Sequence, residues 1–464
     1  MLTRFEVSGF KNLKDVVVEL GPFTCIAGQN AVGKSNLFDA IALLSALSRH
    51  TFVEACSQVR EVKGAPLSDV SVLLSPEVLE GRENLRLAAE MIVPESVVDE
   101  FGQEVKPSKT YLRYEVELNY VNVGGSGGIP TLRLAHETLE PLSKSSDRSQ
   151  LLRACPKLLS AIKGRRGSSY ISLEKGEEGQ ADVIKVPREE RGRPRLIATD
   201  NTQRTVLSAM ASAEYPTILA ANVEMSSWRF MSLEPTAMRS PDNLMETRSI
   251  DATGAHIPAT LYRRDVEDPE VGVYGELKNA VDKLVDIRSL KVVKDDVRQS
   301  LELRAQVGQA PELPARSLSD GTLRFLALAA MNYAGVYMGL VSMEEPENGI
   351  HPAKIGAMLA LLRTLAEPQG GHLRQVIINT HSPYMVRAVH KSNKDDILVA
   401  QSWQRRDKDG KRSASTSFHP LPGTWRTRGQ EPSGQGGRSQ VPVSESRLFA
   451  FLKNPASSVE EADD

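Results

Sequence analysis

Hydrophobic positions along the chain change their period several times, and each change delivers a polar segment. Phe23-Thr24-Cys25-Ile26-Ala27 reads as a short buried strand, and Asn36 to Leu47 carries apolar residues at helical spacing. Between them lies Gly28-Gln29-Asn30-Ala31-Val32-Gly33-Lys34-Ser35. Much later, Ser317-Leu318-Ser319-Asp320-Gly321-Thr322-Leu323-Arg324 opens a helix continued by Phe325 to Ala330. An apolar strand predicted over Val336 to Val341 then ends in Met343-Glu344-Glu345-Pro346-Glu347-Asn348-Gly349-Ile350-His351-Pro352. A further buried strand, Gln375-Val376-Ile377-Ile378-Asn379, runs into Thr380-His381-Ser382-Pro383. Residues from about 85 to 140 read as antiparallel strands, two of them joined at Gly124-Gly125-Ser126-Gly127-Gly128. Tyr274 to Leu290 predicts an amphipathic helix whose Leu277, Val281, Leu284 and Val285 face the core.

The glycine segment fits G-x-x-x-x-G-K-[ST] in the order strand, loop, helix, which is the context that pattern requires. Gly28 and Gly33 allow backbone conformations that turn successive N–H groups inward, and the new helix adds its positive dipole end. The target is nucleotide phosphate. Lys34 is expected to reach the β- and γ-phosphates and the Ser35 hydroxyl to join a Mg2+ shell. At Ser319 and Gly321 a second helix start offers a serine hydroxyl and backbone N–H groups to phosphate, although Ser and Asp also cap many ordinary helices. The acid run changes that balance, because consecutive carboxylates at a strand end are what phosphoryl transfer uses: one to support metal, the next to polarise water. His381, after the last strand, then stands where γ-phosphate is sensed.

Together these residues resemble the ABC-type ATPase head of the RecF/SMC-like and OLD-like families, in the group with a Glu-Glu-Pro-Glu Walker B. Phe5 to Leu13 resembles the opening strand of those heads, and Leu112 to Leu118 with His136-Glu137-Thr138-Leu139 resembles their antiparallel lobe. Asp251 to Leu261 and Leu313 to Leu326 are similar to that group as well. The resemblance implies an α/β fold: a P-loop NTPase of the ABC-type head, with an antiparallel β lobe and a helical insertion. It makes Gly28 to Ser35 the Walker A loop, with Gly28, Asn30, Gly33, Lys34, Ser35 and the following Asn36 as nucleotide-binding residues. Ser319 and Gly321 become the signature, Glu344 with Ser35 the Mg2+ residues, Glu345 the catalytic base and His381 the switch histidine. Glu344 stands where many ABC ATPases have Asp, one methylene shorter. Gln58 is the nearest candidate for a Q-loop, but no motif surrounds it.

Length and composition fit an enzyme of the cytoplasm. The 464 residues allow several domains, with 40% hydrophobic and 25% charged content, and no apolar run approaches a membrane span. Cys25, Cys56 and Cys155 are too few and scattered for a disulfide framework or zinc site. A net charge of -2 argues against a uniformly basic nucleic-acid binder, yet leaves room for a local groove. One basic run, Lys163 to Arg166 continued by Arg188, Arg191, Arg193 and Arg195, is interspersed with acids as a solvated insertion would be. The other holds Arg405, Arg406, Lys408, Lys411 and Arg412, then Trp425, Arg426 and Arg428. Basic residues with a tryptophan suit phosphate contact and base stacking, while Asp407-Lys408-Asp409-Gly410 reads as a hairpin turn.

Motif order divides the chain into residues 1–140, 141–310 as a mixed helical insertion, 311–428, and a tail from 429 to 464. No sustained heptad predicts a coiled coil. In ABC-type heads one subunit's signature completes the other's nucleotide site, so a homodimer or higher oligomer around ATP and Mg2+ is implied. The expected function is an ATP-hydrolysing sensor or regulatory subunit of a bacterial defence system, resembling the Septu and PARIS type ATPases, with a nuclease or toxin effector in another protein. A RecF-like DNA repair clamp and a weakly hydrolysing nucleotide-bound scaffold are the alternatives.

Overall fold

The computed structural model describes residues 1–59, 70–123, 129–144, 150–165, 167–176, 182–189, 192–199, 202–333, 337–406, 412–428 and 442–453. Two compact units emerge. One comprises Met1–Gly21, Ile26–Trp228 and Ile397–Asp464, the other Pro22–Cys25 and Arg229–Asp396.

The first unit is built on a five-stranded antiparallel sheet in the order Val16–Glu19, Leu2–Ser8, Leu85–Ile92, Tyr111–Val123, Ile129–Pro141. The lobe expected from the sequence is here: Tyr114 lies opposite Leu139 and Glu117 opposite His136. Alternation decides the faces. Tyr114, Val116 and Leu118 are fully buried, whereas Arg113 and Glu115 join a lattice of ion pairs with Glu6 and Arg86. The Gly124 to Gly128 turn lies outside the described residues. The helix Lys34–Leu47 begins two residues before its predicted start, and buried residues occur on every side of it.

A hairpin pairs Ile397–Arg406 with Arg412–Pro420, as the turn residues predicted, although the turn itself falls outside the described residues. The tail tryptophan departs from expectation. Trp425 and Arg426 are 5% and 2% exposed, the guanidinium lies 4.2 Å over the indole, and its Nε donates to the Glu19 carbonyl at 2.9 Å. An apolar ring and a long stem gained more from burial than from solvent, so this pair is core and not a stacking platform for bases.

In the second unit Arg229–Met231, Leu340–Glu344 and Gln375–Thr380 run parallel in that order, and the Val376 N–H donates to the Pro22 carbonyl at 2.9 Å. The acid-bearing strand spans Leu340–Glu344, so Tyr337 to Gly339 precede it and it continues past Val341, while Val336 lies outside the described residues. Pairing fixes its extent: Val341, Ser342 and Met343 lie opposite Val376, Ile377 and Ile378, so even the polar Ser342 is buried. An antiparallel group holds Asp242–Asn243, Ser300–Val307, Ile287–Asp295 and Leu313–Pro314. The helix predicted from Tyr274 to Leu290 spans only Val273–Val281, and Leu290 belongs to a strand. Leu284 and Val285 are buried all the same, because a turn closed by their N–H groups on the Val281 carbonyl returns them to the core.

Candidate nucleotide site

Within the first unit, the loop from Gly28 to Gly33 joins the strand Phe23–Ala27 to the helix Lys34–Leu47. Ala31 at φ 64° and Gly33 at φ 94° occupy the left-handed region, which turns neighbouring N–H groups to one side. Gly33 has to be glycine for a second reason. A Cβ there would run into the Thr416 hydroxyl and come within 2.8 Å of Asn12 Nδ2. Those two side chains hold the loop: Thr416 Oγ1 donates to the Val32 carbonyl at 2.6 Å and accepts from Asn12 Nδ2 at 2.8 Å. Asn36 Nδ2 donates to Asn12 Oδ1 at 2.7 Å, and the Thr416 N–H donates to the Asn12 carbonyl at 3.1 Å.

No side chain caps the helix that follows, and its first turn carries no acid. Its N–H groups and dipole are therefore suited to an anion supplied from outside the chain. The Lys34 ammonium is buried and donates to the Gly28 carbonyl at 2.7 Å and to the Gln29 carbonyl, so its charge sits inside the loop. Asn30 is exposed, while Ser35 and Asn36 are half-buried in the first turn. A polyphosphate fits this donor set. Among the described residues no group of three or more His, Cys, Asp or Glu could hold a metal by itself, so Mg2+ would draw most of its ligands from nucleotide and water.

In the second unit, the strand Leu340–Glu344 ends with Glu344 exposed. Glu345, at φ 45°, leaves the strand in a conformation that non-glycine residues seldom adopt. Its N–H donates to the Asn379 carbonyl at 3.0 Å and lies 3.2 Å from Asn379 Oδ1, which pins the kink. The carboxylate is held from both ends. His381 Nδ1 lies 2.5 Å from Oε1, and Asn348 Nδ2 donates to Oε2 at 2.9 Å. Glu347 is buried, and its Oε1 accepts from the Thr380 hydroxyl, which itself accepts from the Ser382 N–H at 2.9 Å. Burial, reinforced by the nearby Glu345 charge, raises the Glu347 carboxyl above the usual carboxylate range.

The signature helix Asp320–Ala330 belongs to the same unit and begins in another way. Ser319 caps it, with Oγ accepting from the Thr322 N–H at 3.2 Å and lying 2.8 Å from the Thr322 hydroxyl. Both Ser319 and Asp320 are exposed, and a Cβ on Gly321 would sit 3.5 Å from Ile350 of the acid loop. Gln58 ends the helix Phe52–Gln58, exposed, with Nε2 3.0 Å from His50 Nε2.

Each expected residue is thus placed. Gly28, Asn30, Gly33, Lys34, Ser35 and Asn36 gather at one loop and helix start, and Glu345 meets His381 directly. Asn12, Thr416, Asn348 and Thr380 carry roles that the motifs did not signal. Asn12 follows a phenylalanine and a lysine in the opening segment and could have been suspected from that resemblance, but Thr416 is one polar residue among several in its strand.

Residues 228–387 match an AAA domain. The matching family model is described as "AAA domain, putative AbiEii toxin, Type IV TA system", and its span takes in the signature, the acid strand and His381. No curated protein matches the sequence. Among solved structures the chain is similar to an Smc head bound to the C-winged helix domain of ScpA, at 15% identity and TM-score 0.44 over 90% of this chain and 98% of that one. It is similar also to an Smc head with an extended coiled coil bound to the C-terminal domain of ScpA derived from Pyrococcus furiosus, at 13% identity, TM-score 0.44, and 90% and 96% coverage. A third is the SMC head domain from Thermotoga maritima, at 10% identity, TM-score 0.36, and 90% and 98% coverage. No helix among the described residues is long and apolar enough to cross a membrane.

Proposed function

We propose that this chain is an ATP-binding and hydrolysing ABC-type ATPase that closes as a dimer around Mg-ATP. In this reading it acts in the cytoplasm as the sensor or regulatory subunit of a bacterial antiviral defence complex whose effector is a separate protein. One observation carries the catalytic part: a carboxylate on a left-handed kink, oriented by His381 on one oxygen and Asn348 on the other. Such a group is aimed before substrate arrives, which is what a base or water-orienting residue needs.

The parts divide as follows. The uncapped Lys34 helix and the loop N–H groups take the phosphates, and Lys34 exchanges its carbonyl partners for β- and γ-oxygens. Ser35 and Glu344 are the residues that would serve Mg2+, which when bound would neutralise phosphate charge. Glu345 takes the proton of the attacking water. His381, bonded to Glu345, couples that carboxylate to the γ-phosphate position. Ser319 and Gly321 serve the nucleotide held by a second copy of the chain. The toxin–antitoxin wording of the matching family model supports a defence setting, and the AAA-domain match over the acid and histidine motifs supports ATP as the substrate.

Glu345→Gln tests the catalytic assignment, since the amide keeps the shape and loses the base. The variant is expected to bind Mg-ATP in calorimetry and to hydrolyse it at least about a hundredfold more slowly. Dimer should accumulate with ATP in light scattering. Turnover at the wild-type rate would move the role to Glu344 or Glu347.

A further inference from the structure

No motif marks Arg239, yet it reaches the signature turn. It ends the short helix Pro235–Met238, and its Nη2 donates to the Leu318 carbonyl at 3.2 Å and to Asp320 Oδ1 at 2.5 Å. Those two residues flank Ser319. The guanidinium is 29% exposed and the Asp320 carboxylate 59% exposed.

An electrostatic conflict lies in that turn. Asp320 in the first helical position is favourable for the helix itself, because a carboxylate complements the positive dipole end. The same charge is unfavourable for a phosphate approaching Ser319. Arg239 supplies the compensating charge from outside the helix. Its bond to the Leu318 carbonyl also fixes the residue before Ser319, so that one guanidinium sets both the charge and the shape of the turn.

We propose that Arg239 is a positioning residue for nucleotide: it neutralises Asp320 and holds the Leu318–Asp320 turn so that Ser319 can receive the γ-phosphate carried by a second copy of the chain. The proposal rests on the two-subunit site described under the proposed function.

The test compares Arg239→Ala, Asp320→Asn, the double variant and Arg239→Lys in the full chain, with Ser319→Arg as control, by steady-state ATP hydrolysis and Mg-ATP calorimetry. Arg239→Ala should bind Mg-ATP within about twofold of wild type and lose at least about tenfold in kcat, because the Walker A face is untouched. Adding Asp320→Asn should return kcat to within about threefold of wild type, since no carboxylate is then left to neutralise. Arg239→Lys should keep most activity, and the Arg239→Ala defect should shrink as ionic strength rises. A purely structural loss would show neither the rescue nor the salt effect. A double variant as slow as Arg239→Ala would overturn the proposal, and so would Arg239→Ala at the wild-type rate while Ser319→Arg is inactive. Full activity of Ser319→Arg removes the two-subunit reading itself, whatever Arg239 does.

Discussion

The helix that begins at Lys34 and the helix that begins at Asp320 present their amino ends in opposite ways. The first has no side-chain cap and no acid in its opening turn, and a left-handed loop stands in front of it. The second is capped by its own Ser319 and carries Asp320, whose carboxylate accepts from Arg239. An uncapped end behind a fixed loop is an anion site at rest. A capped end with a paired acid keeps its helix stable without phosphate, and in the proposed function it offers phosphate one hydroxyl. In the function proposed above, these two helix starts have different tasks: one retains the nucleotide, the other responds to it.

The supports differ in chemistry too. Neutral groups lock the loop, with Asn12, Asn36 and Thr416 joined by hydrogen bonds across more than four hundred residues of sequence. Titratable groups hold the acid cluster: Glu345 on His381, and buried Glu347 on Thr380. The comparison predicts large, pH-independent losses for the loop and smaller, pH-dependent effects for the buried acid.

Lys34→Ala is the largest break. Removing the one point charge inside the loop should weaken ATP binding by at least about a hundredfold in calorimetry. Unchanged affinity would remove the phosphate role from this loop.

Thr416→Val is next. It leaves the Val32 carbonyl and Asn12 amide without their hydroxyl partner in a buried place, a loss on the order of 1–3 kcal/mol. About tenfold weaker ATP binding is expected, equal at pH 6 and pH 9 because no titrating group is involved. A loss that varied between those two pH values would show that the lock is not neutral.

Glu347→Gln has the smallest effect and the opposite pH behaviour. Because the folded protein holds the Glu347 proton above the usual value of 4.5, the stability that Glu347 contributes falls as pH rises from about 4.5 through the raised value. Gln does not titrate. The variant should melt with wild type at low pH and a few degrees above it at pH 8. A difference independent of pH would mean that the carboxyl titrates normally.

These contrasts also show what was legible in the sequence. The strand Phe23–Ala27 and the strand around Ile377 could be read because short apolar runs buried on both faces leave little choice of conformation. Glu345 and His381 could each be singled out from motif order and the family resemblance, though not their contact. The lock could not, since Asn12 and Thr416 are polar residues whose meaning lies in a meeting across the fold. Apolar content likewise carried the strand over Tyr337 to Gly339, where pairing with Gln375–Thr380 sets the boundary at Leu340, and it carried the helix at Tyr274 past the turn at Val281. The basic tail misled for a related reason: charge in the sequence does not report that Arg426 lies against Trp425 in the core.

The central claim is that the retaining helix of one subunit works with the responding helix of another. Mixing Lys34→Ala with Ser319→Arg tests it most directly. Each variant alone should be inactive, the second while still binding ATP. A 1:1 mixture contains roughly half mixed dimers, each with one intact Walker A loop facing one intact signature, so activity should return to at most about a quarter of wild type. No return of activity, with subunit exchange confirmed, would contradict the account.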